Sequence, residues 1–136
     1  MSEYQDVIVF HQRFGILVRA TPQLLSAGET LGRAEKMLEE LMEFMQAARN
    51  ADLSAAADAL VDLVYFAKGT AAQMGLPWEA LWNEVQRANM AKIPQPSNVE
   101  GRRRDKLDVI KPPGWVPPRI AQILGTALMR DESVEP

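Results

Sequence analysis

The chain has 136 residues, of which 47% are hydrophobic and 24% charged, and its formal net charge is −3. This balance predicts a folded protein with its own core, excludes a disordered segment, and argues against nucleic acid as a partner of the whole chain. The chain has no cysteine, which excludes disulfides and thiolate chemistry; because it also shows no signal-peptide pattern and no membrane-length apolar stretch, we expect a cytoplasmic protein with no membrane partner.

Apolar residues at helical spacing predict the first two elements. The first helix is predicted within residues 4–17 and ends a little after Gly15. Its apolar residues are Val7, Ile8, Phe10, Phe14 and Leu17. A loop with Pro22 and Gly28 follows, and a strongly amphipathic second helix is predicted over residues 31–50. Its apolar face consists of Ala34, Met37, Leu38, Leu41, Phe44, Met45 and Ala48.

Capping and helix-breaking residues delimit two more helices. Asp52 or Ser54 is expected to cap the third helix, since their side-chain oxygens can accept from the free amides of its first turn. Gly75 and Pro77 mark its end. A fourth helix is predicted over residues 78–92 and stops before the next prolines.

The last part of the chain changes in character. Residues 101–120 are basic and rich in proline, which predicts an extended or looped tail with one last turn of helix around residues 120–129. No strand pair is expected. The predicted fold is therefore all-α, an antiparallel bundle of four to five helices. We expect a single domain over residues 1–136, with a helical core over about 4–93 and a basic tail over about 94–136.

Two aspartates interrupt the most apolar helix. Asp58 and Asp62 lie in the apolar stretch 55–72 and share one helical stripe with Tyr65 and Gly69. A helix that is apolar on nearly all sides is buried, and unpaired carboxylates are costly in such a place. The sequence therefore predicts a positively charged group opposite the two aspartates.

Further carboxylates lie on the second helix. Glu40 and Glu43 are one turn apart, and Glu39 adjoins them. If the second and third helices are antiparallel neighbours, four or five carboxylates converge, and Arg49 is the only base between Glu39 and Asp62. Such a set of oxygen ligands suits Mg²⁺. The alternative interpretation is a solvated row of glutamates and an aspartate that complements the helix dipole.

Five segments carry a resemblance to a known family. They are FHQRFG (10–15), EELME (39–43), DALVDLVYFAKGTAAQMGLP (58–77), EVQRANMAK (84–92) and KPPGWVPP (111–118). Together they resemble the MazG-like group of all-α nucleoside triphosphate pyrophosphohydrolases, which includes dimeric dUTPases and phosphoribosyl-ATP pyrophosphohydrolase. The resemblance implies a helical core completed by dimerisation, as a homodimer or homotetramer, and Mg²⁺-dependent cleavage of a nucleoside triphosphate.

The family's ligand motif can be matched residue by residue. Glu40 and Glu43 match its first pair of metal ligands, and Asp62 matches its final aspartate. The glutamate expected three residues before Asp62 is Ala59 here. Asp58 remains on the stripe and resembles an Asp-x-x-x-Asp form of the motif, which leaves the number of bound ions open. The expected cofactor is Mg²⁺, with Mn²⁺ as an alternative.

The remaining site residues are assigned from chemistry and from the resemblance. Glu39 is the predicted catalytic base for the attacking water. Asn89 and Lys92 are similar to the family's Asn-x-x-Lys and are expected to hold phosphate oxygens. The full set of predicted substrate-binding residues is Asn89, Lys92, Arg104, Lys111, His11 and Trp115. For Trp115 a core anchor is the alternative to a wall for a base, and for His11 the alternative is a structural role.

These expectations define a function and its competitors. The predicted activity is Mg²⁺-dependent hydrolysis of an NTP or dNTP to the monophosphate and pyrophosphate, which would clean the nucleotide pool. One alternative is a phosphoribosyl-ATP pyrophosphohydrolase-like enzyme. A second is a non-catalytic helical dimerisation module with a vestigial acidic site, which the Ala59 departure favours. A di-iron carboxylate bundle would need Glu-x-x-His pairs, and the single histidine lies in the wrong helix. Base and sugar preference stay open.

Overall fold

The computed structural model describes residues 1–95 and 109–132, with side chains up to residue 129. This part of the chain contains five helices and one pair of very short strands. The elements are α1 (Glu3–Phe14), α2 (Ala27–Arg49), α3 (Leu53–Gln73), α4 (Trp78–Met90), β1 (Ile93–Pro94), β2 (Val109–Ile110) and α5 (Ile120–Glu132). The predicted all-α class is confirmed.

The helix ends follow from local capping chemistry. Helix α1 ends at Gly15, whose φ of 67° is the left-handed conformation that glycine adopts without strain. Helix α2 begins earlier than predicted, because Ser26 and Glu29 form a reciprocal capping box. Gly28 therefore lies inside α2, and the loop predicted there is wrong. Asp52, one of the two predicted caps, accepts a hydrogen bond from the third helix's first turn.

Helices α2 and α3 form the main packed pair. Residues 50–52 join them, and so short a connection makes the two helices antiparallel. The less exposed side chains of α2 recur at a heptad-like spacing and form its inward stripe, which is Arg33, Met37, Glu40, Phe44 and Ala47. Leu38 and Met45, predicted to share this face, are instead 56% and 47% exposed. The apolar surface of α2 is wider than α3 can cover, so it divides into a packed stripe and a free one.

Helix α1 packs across α3. Val7 and His11 are its two buried side chains, with 1% and 3% exposure. The Tyr4 hydroxyl donates to the Leu76 carbonyl at 2.9 Å, and Lys68 of α3 forms an ion pair with Glu3. Most of the other buried positions in the described ranges are alanine or glycine, which lets the helices approach closely.

The C-terminal part contains more regular structure than predicted. Strands β1 and β2 are antiparallel, with Ile93 opposite Ile110; the sequence prediction missed them because each has only two residues. The last helix, α5, has 13 residues rather than a single turn. Residues 111–119 form no helix or strand, as expected for a looped tail. Within the two described ranges, no helix is both long enough and apolar enough to cross a membrane.

Candidate functional site

The predicted carboxylates lie together where α2 faces α3. Burial is the largest cause that raises the pKa of Glu40 above its ordinary value, followed by the negative charges of Glu43, Asp62, Glu39 and Asp58. The carboxylates of the other four predicted acidic residues are therefore all close enough to Glu40 to act on its charge. We call these five residues the acidic cluster.

Glu40 carries an unsatisfied oxygen. Its side chain is half-buried, and Oε2 is inaccessible to solvent and has no hydrogen-bond partner among the described residues. A buried carboxylate oxygen without a partner is costly, and such an orphan in a folded protein calls for an explanation. Because four other carboxylates act on Glu40, a cation is the kind of partner that would satisfy this oxygen and offset the repulsion. The donor set fits a hard divalent ion.

The other members of the acidic cluster are more accessible. Asp62 is half-buried, whereas Asp58 is exposed. Glu39 is also exposed, and its Oε2 lies 3.4 Å from Nζ of Lys36 on the same helix. Across the described residues, no three acidic, histidine or cysteine side chains are already close enough to hold a metal ion. The five carboxylates are thus near one another but not yet arranged as ligands, and their side chains would have to rotate to coordinate an ion.

Ala59 has a packing role at the position where the resemblance expects a glutamate. It is 3% exposed and lies between the two aspartates in sequence, on the side of α3 that faces α2. A longer side chain would have to enter the seam between the helices. Ala59 therefore belongs to the packed part of α3, and the two carboxylates that this stretch of α3 contributes to the acidic cluster are Asp58 and Asp62.

A second group of predicted residues meets at the end of α4. Nζ of Lys92 donates to Oδ1 of Asn89 at 2.8 Å. The ammonium groups of Lys92 and Lys111 lie 5.8 Å and 4.6 Å from the centre of the Trp115 ring. Both distances are typical of cation–π contacts. We call these four residues the basic cluster, and its two ammonium groups provide positive charge for an anion.

Trp115 also anchors the chain. Its indole Nε1 donates to the Ala88 carbonyl at 2.7 Å, while its ring contacts the two lysines. The anchoring interpretation of Trp115 is therefore supported by a direct hydrogen bond. The same ring positions Lys92 and Lys111, so the two interpretations of this residue are compatible.

Residues that were not predicted hold the segment after Trp115 against α4. Arg87 donates to the carbonyl oxygens of Val116 and Pro117 at 3.2 Å and 3.3 Å. Glu84 accepts from the Arg119 backbone at 3.0 Å and from Arg87 at 2.8 Å. These contacts, first the Arg87 side chain and then the Arg119 amide, lower the pKa of Glu84 to about 2. The i, i+3 spacing of Glu84 and Arg87 was the available sequence signal.

The last two predicted substrate-binding residues lie elsewhere. His11 is buried between helices, its Nδ1 is 3.3 Å from the Leu17 carbonyl oxygen, and burial lowers its pKa. This is the environment of a structural histidine. Arg104 lies outside the described residues. Among the residues that are described, no hydrogen bond or ion pair connects the acidic cluster with the basic cluster.

Comparison with known families identifies one match. The family model of phosphoribosyl-ATP pyrophosphohydrolase matches residues 7–89, which cover most of α1, all of α2 and α3, and nearly all of α4. The match includes the whole acidic cluster and Asn89. No curated protein matches the chain.

Proposed function

The chain belongs to the phosphoribosyl-ATP pyrophosphohydrolase family, and from this we propose that it hydrolyses a nucleoside or deoxynucleoside triphosphate to the monophosphate and pyrophosphate. Membership of the family indicates a pyrophosphohydrolase. The substrate class and its role in cleaning the nucleotide pool are our proposal, and the cytoplasm, where nucleotides are made and used, is the proposed location.

One observation carries the proposal. Oε2 of Glu40 is buried without a hydrogen-bond partner in the described part of the chain, and four other carboxylates from α2 and α3 act on it. A purely structural helix pair gains nothing from such an arrangement, because like charges at close range destabilise one another. A divalent cation bound among the carboxylates would relieve their repulsion, and the phosphates of a nucleotide would add further oxygen ligands.

The ion is proposed to be Mg²⁺, with Mn²⁺ as a substitute. Glu40, Glu43, Asp58 and Asp62 would hold it. When bound, it would offset the negative charge of the phosphate oxygens and lower the pKa of a coordinated water. The number of ions is left open by Ala59.

The chain's own residues account for the rest of the reaction. Water must attack the α-phosphorus while the bond to the bridging oxygen breaks and pyrophosphate leaves. Glu39 is the proposed base. Its exposed carboxylate forms an ion pair with Lys36, and exposed pairs of this kind rotate apart easily. Lys92 and Lys111 would hold phosphate oxygens on the leaving pyrophosphate.

A second copy of the chain is the proposed partner. Leu38 and Met42 on α2 and Val61 on α3 are 56%, 61% and 64% exposed, and this is an unusual amount of apolar surface on two helices that already pack together. A homodimer, or a dimer of dimers, would cover these faces. It would also offer the basic cluster of one copy to the acidic cluster of the other. Sedimentation equilibrium tests this, and a monomer at micromolar concentration would contradict it.

A second candidate substrate is phosphoribosyl-ATP itself. The observation in its favour is the family model that matches the chain, which carries the name of that activity. Both substrates are cleaved at the same type of bond, so the acidic cluster serves either one.

A substrate panel tests the proposed function. The purified protein is incubated with Mg²⁺ and each of the standard and chemically modified ribonucleoside and deoxynucleoside triphosphates, together with phosphoribosyl-ATP, and pyrophosphate and orthophosphate are measured separately. We expect pyrophosphate and a monophosphate product from at least one triphosphate. Release of orthophosphate alone, or cleavage of phosphoribosyl-ATP alone, would overturn the proposal.

A further inference from the structure

Arg33 is a cation held between helices by neutral groups. It is half-buried on the inward stripe of α2. Its Nε donates to the Thr70 hydroxyl at 3.0 Å, and its Nη2 donates to the Phe66 carbonyl at 2.8 Å. The guanidinium carbon also lies 5.2 Å from the centre of the Phe66 ring. No carboxylate forms an ion pair with Arg33 in the described part of the chain.

The surroundings of Arg33 leave it little freedom. A methyl group on Gly69 would lie 2.6 Å from Nη2 of Arg33 and 2.8 Å from Nε2 of His11. A larger residue at position 69 would therefore push the end of the Arg33 side chain or the His11 ring out of its place. Arg33 therefore lies where α1, α2 and α3 meet, with its guanidinium confined by backbone on one side and an imidazole on the other.

The contacts of Arg33 specify how far α2 and α3 are displaced along each other. In an antiparallel pair, a residue two turns further along one helix lies level with a residue two turns back along the other. Arg33 contacts Phe66 and Thr70. Glu40, two turns further along α2, is therefore level with residues 59–63 of α3, which include Asp62.

The connection of residues 50–52 ties α2 to α3 at one end of the pair, and the hydrogen bonds of Arg33 hold the two helices toward the other end. Ala47 and Ala59, both buried, face into the helix pair, and small apolar side chains pack without strong directional preference. Hydrogen bonds require alignment, and buried polar residues are known to fix register in helix pairs. A slide of one turn, about 5.4 Å, would break both bonds of Arg33.

We propose that Arg33 is a positioning residue that fixes the register of α2 against α3 and so places Glu40 level with Asp62. Only the effect of Arg33 on catalysis rests on the proposed function. The position of α2 relative to α3 does not, and it can be measured without substrate.

Pulsed electron paramagnetic resonance tests the proposal. Because the chain has no cysteine, Glu35→Cys and Ser54→Cys introduce one exposed spin label on each helix, diluted in unlabelled protein so that only pairs within one chain are read. R33M keeps the aliphatic stem but loses both hydrogen bonds. We expect its distance distribution to broaden or shift by several ångströms, and Mn²⁺ binding in the unlabelled variant to weaken roughly tenfold. R13M, on the exposed side of α1, is the matched control and should change neither.

The outcomes separate the inference from the proposed function. A folded R33M variant that keeps the narrow native distance would overturn the role of Arg33, even if the enzyme hydrolyses triphosphates. A shifted distance would support it even if the substrate panel fails. If R33M does not fold, T70V removes one of the two acceptors more gently, and an unchanged distribution in T70V then overturns the proposal.

Discussion

Two glutamates on different helices have opposite electrostatic environments. Burial beside four other carboxylates raises the pKa of Glu40, and one of its oxygens has no hydrogen-bond partner. Glu84 accepts hydrogen bonds from Arg87 and from the Arg119 backbone, and its pKa falls to about 2. Within residues 1–95 and 109–129, the protein provides hydrogen-bond donors for the carboxylate of Glu84 and none for Oε2 of Glu40.

The difference separates scaffold from binding region. Around Glu84, complementary charges hold the segment of residues 115–119 against α4, so no ligand is needed to complete the arrangement. Around Glu40, the carboxylates repel one another, although a lysine or a leucine at one of these positions would have avoided the repulsion. Carboxylates whose pKa is raised by burial and by neighbouring negative charges are found preferentially at functional sites. The acidic cluster is therefore the region that we expect to respond to metal and substrate.

The largest expected effect comes from neutralising the acidic cluster. E40Q and D62N should each lower kcat/KM by more than about a hundredfold, because a metal ligand is lost while the shape of the side chain is kept. Initial rates of pyrophosphate release at saturating Mg²⁺ measure this. E79Q, a matched change at an exposed position on α4, should leave the rate within about twofold. Near-native turnover in D62N would remove Asp62 from the site.

A smaller effect is expected in the basic cluster. K92M and K111M should each raise KM roughly tenfold with little change in kcat, because their ammonium groups would bind phosphate in the ground state and transition state alike. Full substrate-saturation curves separate the two parameters. An unchanged KM in both variants would mean that these lysines serve only the contact with Trp115.

The comparison of the two glutamates predicts stability changes of opposite sign. The raised pKa of Glu40 means that its contribution to stability is present below its unfolded pKa and lost as pH rises, so E40Q should raise Tm by roughly a few degrees at pH 7 without metal. The lowered pKa of Glu84 has the opposite effect on stability. The stabilisation by Glu84 is present above pH 4.5, the ordinary pKa of a glutamate, and is lost as the pH falls toward about 2.

Calorimetry at several pH values checks both signs. E84Q should have a lower Tm than the native protein at pH 7, and this difference should shrink between about pH 4.5 and pH 2. In metal-free buffer at pH 7, a lower Tm for E40Q than for the native protein would show that Glu40 is stabilised by a partner that its environment does not reveal.

The smallest effect is expected at Trp115. W115F keeps an aromatic face for the two lysines but loses the indole donor to the Ala88 carbonyl. The free energy of unfolding should fall by about 1 kcal/mol, the net value of one hydrogen bond. KM should change less than about twofold. Chemical denaturation and steady-state kinetics on the same sample test this, and a large rise in KM would indicate that the indole itself contacts substrate.

Much of the fold could be predicted from periodicity and capping. The helices follow from apolar spacing. Gly15 ends α1 and Asp52 caps the start of α3, as local chemistry requires. Ser26 and Glu29 have the spacing of a capping box, which indicates the true start of α2. The prediction missed this start because Gly28, between them, suggested a loop. The short strands depend on pairing between distant residues, which no local pattern reveals.

The acidic cluster was predictable because helical spacing puts Asp58 and Asp62 on one stripe, and the short connection makes α2, with its glutamates, the antiparallel neighbour of α3. The role of Arg33 was not, since a charged residue on an amphipathic helix usually indicates a solvated face. The split of the apolar surface of α2 was also hidden, because periodicity shows how wide an apolar face is but not how much of it one neighbour covers. The predicted metal ligands and catalytic base stay predictions.

The central claim is that carboxylates from α2 and α3 bind one divalent cation site together. Isothermal titration of Mn²⁺ into the metal-free native protein, E40Q, D62N and E79Q, all without nucleotide, tests it most directly. We predict saturable binding to the native protein and E79Q, and binding weakened more than about tenfold in both E40Q and D62N. Equal affinity in all four proteins would contradict the claim.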